Sequence, residues 1–241
     1  MGQVGAVRLV AELVVGAASQ AGVLAVLAVR PGLGVPGLVA GAAYGLILGA
    51  LLWWAGRRSG LRTLGHASRV TLVRATLGGG VVALAVDHAG TLPAPAAMVA
   101  LAATGLVLDG VDGQVARRTG TTSAFGARFD MEADAILLLT LSAFVAAAYG
   151  PWVLAIGALR YLFVLAAWLG PWLRAPLPPS RARKVVGTAQ GVVLVVVAVG
   201  VLPPAVGGAA AVAALAVLLW SFGRDVRWLW RRRWATAAPG A

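Results

Sequence analysis

Long apolar runs of about 20 residues follow one another along the whole chain, separated by short segments rich in Pro, Gly and Arg. A helix needs about 20 apolar residues to cross the hydrocarbon core of a bilayer, so each run predicts a transmembrane helix. The predicted spans are residues 7–29, 36–55, 68–87, 96–116, 126–149, 151–172, 183–202 and 205–223. The pattern therefore predicts an all-α fold, a polytopic bundle of transmembrane helices.

Helix breakers mark several of the predicted boundaries. Pro31 and Pro36 separate the first two runs, Gly150-Pro151 divides the fifth from the sixth, and Pro203-Pro204 precedes the last. The first run is longer than the apolar region of a signal peptide, and a second span follows it closely. We therefore expect the first run to be retained as a helix of the bundle.

Composition agrees with a membrane protein and leaves little room for anything else. Of 241 residues, 60% are hydrophobic and only 12% are charged, about half the charged fraction of a soluble domain. Eight spans use roughly 160 positions, so the loops are too short to form a soluble domain of useful size. Any chemistry must lie in or beside the helix bundle. The absence of Cys excludes disulfides and thiolate ligands.

Basic residues cluster in alternate loops, which predicts the orientation of the bundle. The net charge of +12 would suggest nucleic acid in a soluble protein, but here it favours lipid headgroups, and no nucleic-acid partner is expected. With eight spans, the basic segments all lie on one side, and the positive-inside rule makes that side cytoplasmic. These residues are Arg57, Arg58, Arg62, Arg117, Arg118, Arg174, Arg181, Arg183, Lys184, Arg231, Arg232 and Arg233.

Acidic residues are concentrated in one short stretch. Five of the eight acids in the chain fall between Asp109 and Asp134. Asp109 and Asp112 are three positions apart at the end of one predicted helix, and Asp130 and Asp134 are four apart at the start of the next. Each spacing puts its pair on one helix face, and the short connection makes the helices neighbours. Four carboxylates then converge on one cavity, where a bound cation is needed to offset their repulsion.

The residue types in this cluster favour a hard cation. Ligation by carboxylate oxygens alone is typical of Mg²⁺ or Mn²⁺. Two such ions could clamp a diphosphate and stabilise a leaving nucleotide phosphate. Gly113 and Ala116 would let that substrate approach the helix backbone. Arg117 could contact phosphate, or it could serve only to orient the protein against lipid headgroups.

The same residues resemble a known signature. The run Asp109-x2-Asp112-Gly113-x2-Ala116-Arg117-x8-Gly126-x3-Asp130-x3-Asp134 resembles the complete motif of the CDP-alcohol phosphotransferase, or CDP-alcohol phosphatidyltransferase, family. All eight specified positions agree without a gap. The resemblance covers about residues 60–225 and implies a six-helix core. We therefore expect two extra N-terminal helices in residues 1–56, the catalytic core in 57–225 and a basic cytoplasmic tail in 226–241.

The resemblance implies a reaction and a role for each matched residue. The resemblance implies a membrane enzyme that transfers a substituted phosphate from a CDP-linked donor to an alcohol and releases CMP. Carried over by position, Asp109, Asp112, Asp130 and Asp134 would bind two divalent metal ions, and Asp134 would also accept the proton of the alcohol. The positions expected to line the nucleotide and diphosphate site are Gly113, Ala116, Arg117 and Gly126.

A second, weaker resemblance precedes the first. The segment Ser68 to Arg74 resembles the start of the family's first core helix, which implies that Thr71 and Arg74 also face the nucleotide site. Ala67-Ser68 stands where that helix more often carries Pro-Asn, so a contact made by the usual Asn is not expected here.

Substrate and partners follow from the resemblance only in outline. The expected donor is CDP-diacylglycerol, and a CDP-alcohol donor with a diacylglycerol acceptor is the other arrangement. The acceptor is otherwise a small alcohol, with or without a phosphate group. The resemblance also implies a homodimer in the cell membrane, with the active site open to the cytoplasm. The task of the two N-terminal helices is open, and Glu12 is the unusual residue within them.

Other charged residues leave two interpretations open. One interpretation is that these residues form a pocket for an anionic acceptor, and the other is that they contact lipid phosphates. They are Arg128, Arg160, Arg181, Arg183 and Lys184. Glu132 lies about 200° from Asp130 around an ideal helix and is expected to make a loop or headgroup contact rather than to bind metal.

Two other functional classes also use intramembrane carboxylates. An intramembrane prenyltransferase binds diphosphate through Mg²⁺ and Asp-rich motifs, but these usually lie on well-separated helices. An ion-coupled transporter could use such carboxylates, but it would not require Gly, Ala and Arg at these fixed spacings. Release of CMP from a CDP-linked lipid distinguishes the expected enzyme from both.

Overall fold

The computed structural model of the chain describes residues 2–61, 63–119, 123–178 and 180–235; for residues 2–7, 66–67, 111–119 and 234–235 it describes the backbone only. These residues form eight α-helices and two short 3-10 helices, Pro151–Val153 and Pro171–Arg174, and they contain no strand. The α-helices are α1 (Gly2–Val29), α2 (Val35–Arg58), α3 (His66–Asp87), α4 (Ala96–Thr119), α5 (Ala124–Tyr149), α6 (Leu154–Leu169), α7 (Arg181–Val199) and α8 (Pro204–Ala235).

This architecture confirms the predicted all-α, multi-pass membrane bundle. Within the described residues, seven helices are long and apolar enough to cross a membrane. For α4 the sequence predicted a full span over residues 96–116. Among the described side chains its apolar part is Ala96–Gly110, and the side chains of residues 111–119 lie outside the described residues. The inner boundary of this span therefore stays a prediction.

Consecutive helices of the core pack antiparallel. Gly80 of α3 lies against Leu101 of α4, and Arg74, earlier on α3, reaches the later residue Gly105. By the same reasoning α7 and α8 are antiparallel, because Gln190 meets Ala214 while Arg183 meets Asp225. One end of the bundle therefore gathers the starts of α1, α3, α5 and α7 and the ends of α2, α4, α6 and α8. We call this end the basic end. It holds Arg57, Arg58, Arg174, Arg181, Arg183, Lys184, Arg231, Arg232 and Arg233.

The main core lies between α3, α4, α5 and α7. Small residues let these helices approach closely, as is usual where lipid supplies no hydrophobic force between helices. A Cβ atom on Gly191 of α7 would lie 2.6 Å from a methyl group of Leu106 on α4, and one on Gly80 would lie 2.8 Å from a methyl group of Leu101. The large side chains with almost no exposure in this core include Val81, Leu84, Met98, Leu141, Val145 and Leu194.

The N-terminal helices α1 and α2 form a hairpin that packs against α3. Polar contacts join the hairpin to α3 at three levels along the length of the bundle. The hydroxyl of Tyr44 donates to the carbonyl of Ala75 at 2.9 Å, and the amide of Gly34 donates to the carboxylate of Asp87 at 3.1 Å. At the basic end, Glu12 accepts hydrogen bonds from the start of the α3 region. The hairpin is therefore joined to the helix that carries Thr71 and Arg74.

Candidate active site

Three carboxylates from two helices converge near the basic end. Asp109 comes from α4, and Asp130 and Asp134 come from α5. One carboxylate oxygen from each lies within 4.8 Å of those from the other two. The side chain of Asp109 is 17% exposed, and those of Asp130 and Asp134 are 34% and 38% exposed. The cluster is thus half-buried, open enough to admit a ligand yet shielded from bulk water.

Local sequence explains why the two carboxylates of α5 lie together at the start of the helix. Ser123 caps α5, and its hydroxyl accepts the amide hydrogen of Gly126 at 2.9 Å. Helical periodicity then places Asp130 and Asp134 on one face, one turn apart. A cap at this position fixes the register of the first turns of α5 and so fixes where the carboxylates point.

Gly126 also lets α3 and α5 approach each other at the site. A Cβ atom built there would lie 2.9 Å from the hydroxyl oxygen of Ser68 and 3.1 Å from that of Ser123. Ser68 is only 4% exposed, so a larger residue at position 126 would push against a buried side chain. The structure thus gives Gly126 a packing role beside the expected nucleotide site.

The guanidinium of Arg74 lies among the three carboxylates. Its Nη2 is 3.1 Å from Asp109 Oδ1, and it also forms ion pairs with Asp130 through Nη1 and with Asp134 through Nη2. Its Nε donates to the carbonyl of Gly105 on α4 at 3.2 Å. The side chain is only 4% exposed. Arg74 therefore joins α3, α4 and α5 through contacts with charged or polar groups of both neighbouring helices.

The residues present fit a divalent cation. Magnesium binds oxygen ligands at about 2.0–2.1 Å, so ligands of one ion lie at most about 4 Å apart, close to the spacing of these carboxylate oxygens. Among the described residues, one guanidinium faces three carboxylates, so this part of the site carries an excess of negative charge. Hard oxygen donors without sulfur or imidazole suit Mg²⁺ or Mn²⁺.

The remaining motif residues lie next to this cluster along the chain. Asp112, Gly113, Ala116 and Arg117 belong to the last turns of α4, and their side chains lie outside the described residues. Thr71 is buried on α3, three residues before Arg74. The predicted convergence of carboxylates is thus seen for three of the four, and the metal and nucleotide roles stay predictions.

The basic residues considered for an acceptor pocket have different surroundings. Arg160 of α6 pairs with Glu132 of α5 at 2.5 Å, and its Nε is buried without a hydrogen-bond acceptor among the described residues. Arg183 pairs with Asp225 at 3.3 Å and also donates to the carbonyl of Pro178. The exposed residues are Arg128, Arg181 and Lys184. Glu132 is outside the carboxylate cluster, as its position on the helix predicted, but its contact is the ion pair with Arg160 of α6 rather than the expected loop or headgroup contact.

Two features near the site were missed by the sequence reasoning. The acids indicated that a cation should be bound, but Arg74 was not recognised as an internal cation that meets them. Its position within an apolar run was the available signal, since a charged group at that depth needs a partner. The contact of Glu12 with Leu64 and Arg69 had no local signal, because its partners are 52 and 57 positions away.

Comparison with protein families gives the class of this protein. Residues 64–220 match the family model described as CDP-alcohol phosphatidyltransferase. The match covers more than half of the chain and includes all the residues of the carboxylate cluster. The chain therefore belongs to the CDP-alcohol phosphatidyltransferase family, whose reaction is the transfer of a substituted phosphate group. Searches of curated proteins and of solved structures found no match.

Proposed function

We propose that this protein transfers a phosphatidyl group from CDP-diacylglycerol to a small alcohol, with release of CMP, in phospholipid synthesis. The observation that carries the proposal is the half-buried carboxylate cluster of Asp109, Asp130 and Asp134 within a chain of this family. Family membership favours this reaction over a prenyltransferase or an ion-coupled transporter. In this account residues 57–225 form the catalytic core and residues 1–56 and 226–241 flank it.

Two divalent ions would be held by Asp109, Asp112, Asp130 and Asp134. When bound, they would neutralise the diphosphate and the charge that develops on the leaving CMP. The protein's own contribution is to hold these carboxylates on two packed helices. The capped start of α5 and the contact of α3 with Gly126 fix their spacing. Such rigidity favours reaction, because a site that is preorganised need not rearrange as charge develops.

Asp134 is the proposed proton acceptor. The hydroxyl oxygen of the acceptor attacks the β-phosphorus of the donor and forms a new phosphorus–oxygen bond. The bond between that phosphorus and the oxygen bridging to the α-phosphate breaks, and the electron pair leaves with CMP. The hydroxyl proton passes to the Asp134 carboxylate, which is 38% exposed and therefore within reach of a substrate in the open side of the cluster.

The donor is held, in this proposal, by groups from three helices. Arg74 and Thr71 on α3, Gly126 on α5, and Gly113, Ala116 and Arg117 on α4 would surround the nucleotide and diphosphate. The position of Arg74 supports this role, because its guanidinium N–H groups already contact carboxylate oxygens at the centre of the site. A planar guanidinium of this kind suits the oxygens of a phosphate equally well.

A lipid donor is favoured by where the cluster lies. It is close to the basic end of a bundle whose helices are long and apolar enough to span a membrane. A diacylglycerol group could remain in the bilayer while its diphosphate reaches the cluster. The positive-inside rule places this end in the cytoplasm, where CMP would be released. The protein is then a multi-pass protein of the cell membrane, and a homodimer is part of the same proposal.

An anionic group on the acceptor is supported by Arg160. Its buried Nε lacks an acceptor among the described residues, and a buried donor of this kind is costly unless a ligand completes it. Arg128, Arg181 and Lys184 add exposed positive charge at the same end of the bundle. Arg183 is less available, since Asp225 and Pro178 already accept from it. We infer an alcohol that carries a phosphate.

The test is release of CMP by purified protein with Mg²⁺, CDP-diacylglycerol and a panel of alcohols with and without phosphate. We expect release that depends on the acceptor and is lost in Asp134→Asn. Asp87→Asn is the matched control, because it changes a carboxylate at the opposite end of α3. Release with CDP-alcohols and diacylglycerol instead would support the reversed arrangement. No release from any CDP-linked donor would contradict the proposal.

A further inference from the structure

A groove between α1 and α3 lies outside the carboxylate cluster and has a volume of about 470 Å³, within the ~300–1,000 Å³ range of ligand pockets. Its α1 side is a single helix face that includes Ala11, Val15, Ser19 and Val23. Its α3 side is formed by Arg69, Leu72, Val73, Thr76 and Leu77. The walls are mainly apolar, and the hydroxyl of Thr76 is already bonded to the carbonyl of Leu72.

The length of the groove matches one leaflet of a bilayer. From Ala11 to Val23 the helix rises about 18 Å, at 1.5 Å per residue. Half of a hydrocarbon core of about 30 Å is about 15 Å. The groove starts at the basic end of the bundle and runs inward, so its apolar part lies at the depth of the acyl chains of that leaflet.

Charge is confined to the end of the groove where a headgroup would lie. Glu12 and Arg69 form an ion pair there at 2.6 Å, and Glu12 also accepts the amide hydrogen of Leu64 at 2.6 Å. The carboxylate is thus engaged, while the Arg69 side chain remains 53% exposed. Arg8 is exposed and lies one turn before Glu12 on the same face of α1. The mouth of the groove therefore presents positive charge.

We propose that this groove binds an anionic glycerophospholipid, with one acyl chain along the groove and its phosphate at Arg8 and Arg69. The site is formed with an N-terminal helix outside the family match, and it does not depend on the proposed reaction. An acyl chain suits the apolar walls and the one-leaflet length, and a phosphate suits the guanidinium groups at the mouth. The occupant is a resident lipid rather than the phosphatidyl donor.

The experiment uses the full chain in phosphatidylcholine vesicles, without any CDP-linked compound. Traces of phosphatidic acid or phosphatidylcholine with a photoreactive acyl chain are added, and adducts are mapped to peptides. We expect adducts on residues 11–23 and 69–77, with a preference for phosphatidic acid. Ser19→Trp should remove them by filling the groove, and Ala11→Phe is a second variant with the same purpose. Ala21→Trp is the matched control, on the opposite face of α1 and exposed.

The headgroup contact is tested separately. Arg8→Gln should lower the preference for phosphatidic acid about fivefold, which is the effect of one basic residue near a membrane surface. Arg30→Gln, which removes an exposed charge at the other end of the bundle, should leave it unchanged. Unaltered labelling in both groove-filling variants would overturn the acyl-chain site. Equal labelling of the unsubstituted protein by the two lipids would overturn the proposal that Arg8 and Arg69 select an anionic headgroup.

Discussion

Nη2 of Arg74 lies 3.1 Å from Oδ1 of Asp109, and this ion pair joins α3 to α4 with the arginine side chain almost entirely buried. The same guanidinium also meets Asp130 and Asp134 on α5. A metal ion that enters the cluster would have to share or replace these contacts. Arg74 is therefore expected to hold the carboxylates together when metal is absent.

The first prediction concerns the stability of the metal-free protein. Arg74→Gln removes the buried cation that pairs with the three described carboxylates of the cluster. Losing one partner of a fully buried ion pair costs about 3–5 kcal/mol, and the cost here should be smaller because Asp130 and Asp134 are 34% and 38% exposed. We expect a lower unfolding temperature in chelator and a larger gain on addition of Mn²⁺ than in the unsubstituted protein. Thermal unfolding with and without metal measures both. Arg30→Gln is the control, and equal unfolding temperatures of Arg74→Gln and this control in chelator would contradict the role of Arg74.

The second prediction concerns metal dependence. Chelation should abolish transfer, and Mg²⁺ or Mn²⁺ should restore it, because the carboxylates would otherwise repel the diphosphate. Asp109→Asn removes one charged ligand and should raise the metal concentration needed for half-maximal activity. A titration of activity against metal gives this value, and Asp87→Asn should leave it unchanged. Activity that persists in chelator would contradict a metal site here.

The third prediction concerns the contact of α3 with α5. Gly126→Ala places a Cβ atom 2.9 Å from the hydroxyl oxygen of Ser68, and this crowding should destabilise the protein by about 1–3 kcal/mol. Ser68→Ala removes the opposing oxygen, so the double variant should recover part of the loss. Chemical or thermal unfolding of the four proteins in the cycle tests this. Additive effects of the two substitutions would show that the contact is unimportant.

The fourth prediction concerns the attachment of the N-terminal hairpin. Glu12→Ala removes the acceptor for the amide of Leu64 and for Arg69. Leu64 is buried, so its unpaired amide should cost about 1–3 kcal/mol, whereas the exposed Arg69 can turn to water. Amide exchange at Leu64 should become faster. Glu12→Gln keeps a neutral acceptor, so its exchange should be intermediate. Unchanged exchange in Glu12→Ala would show that this contact does not hold the hairpin.

The sequence predicted the helices well because their signal is local. Apolar runs of spanning length and the breakers between them define α1 to α7 within a few residues, whereas α8 continues to Ala235, well beyond its predicted end at residue 223. The convergence of Asp130 and Asp134 was predictable for the same reason, since a separation of four residues on a helix fixes their common face. The expected full span over residues 96–116 stays a prediction at its inner boundary, because the side chains of residues 111–119 lie outside the described residues.

Contacts between distant helices could not be predicted in the same way. The position of Arg74 depends on how α3 is rotated against α4 and α5, which no periodicity within α3 specifies. The contact of Glu12 with Leu64 joins residues 52 positions apart. The groove between α1 and α3 likewise arises from the packing of two helices. The residues that α1 contributes lie on one helix face, but the sequence shows this only once α3 is known to be the partner.

The measurement that tests the central claim most directly follows the phosphorus atom itself. CDP-diacylglycerol with a radiolabelled β-phosphorus is incubated with the protein, metal and the acceptor that supports CMP release. The account predicts label in the new phospholipid and unlabelled CMP, because the acceptor oxygen attacks the β-phosphorus. Label in a water-soluble nucleotide, with diacylglycerol left behind, would mean that a different bond is broken and would contradict the proposed reaction.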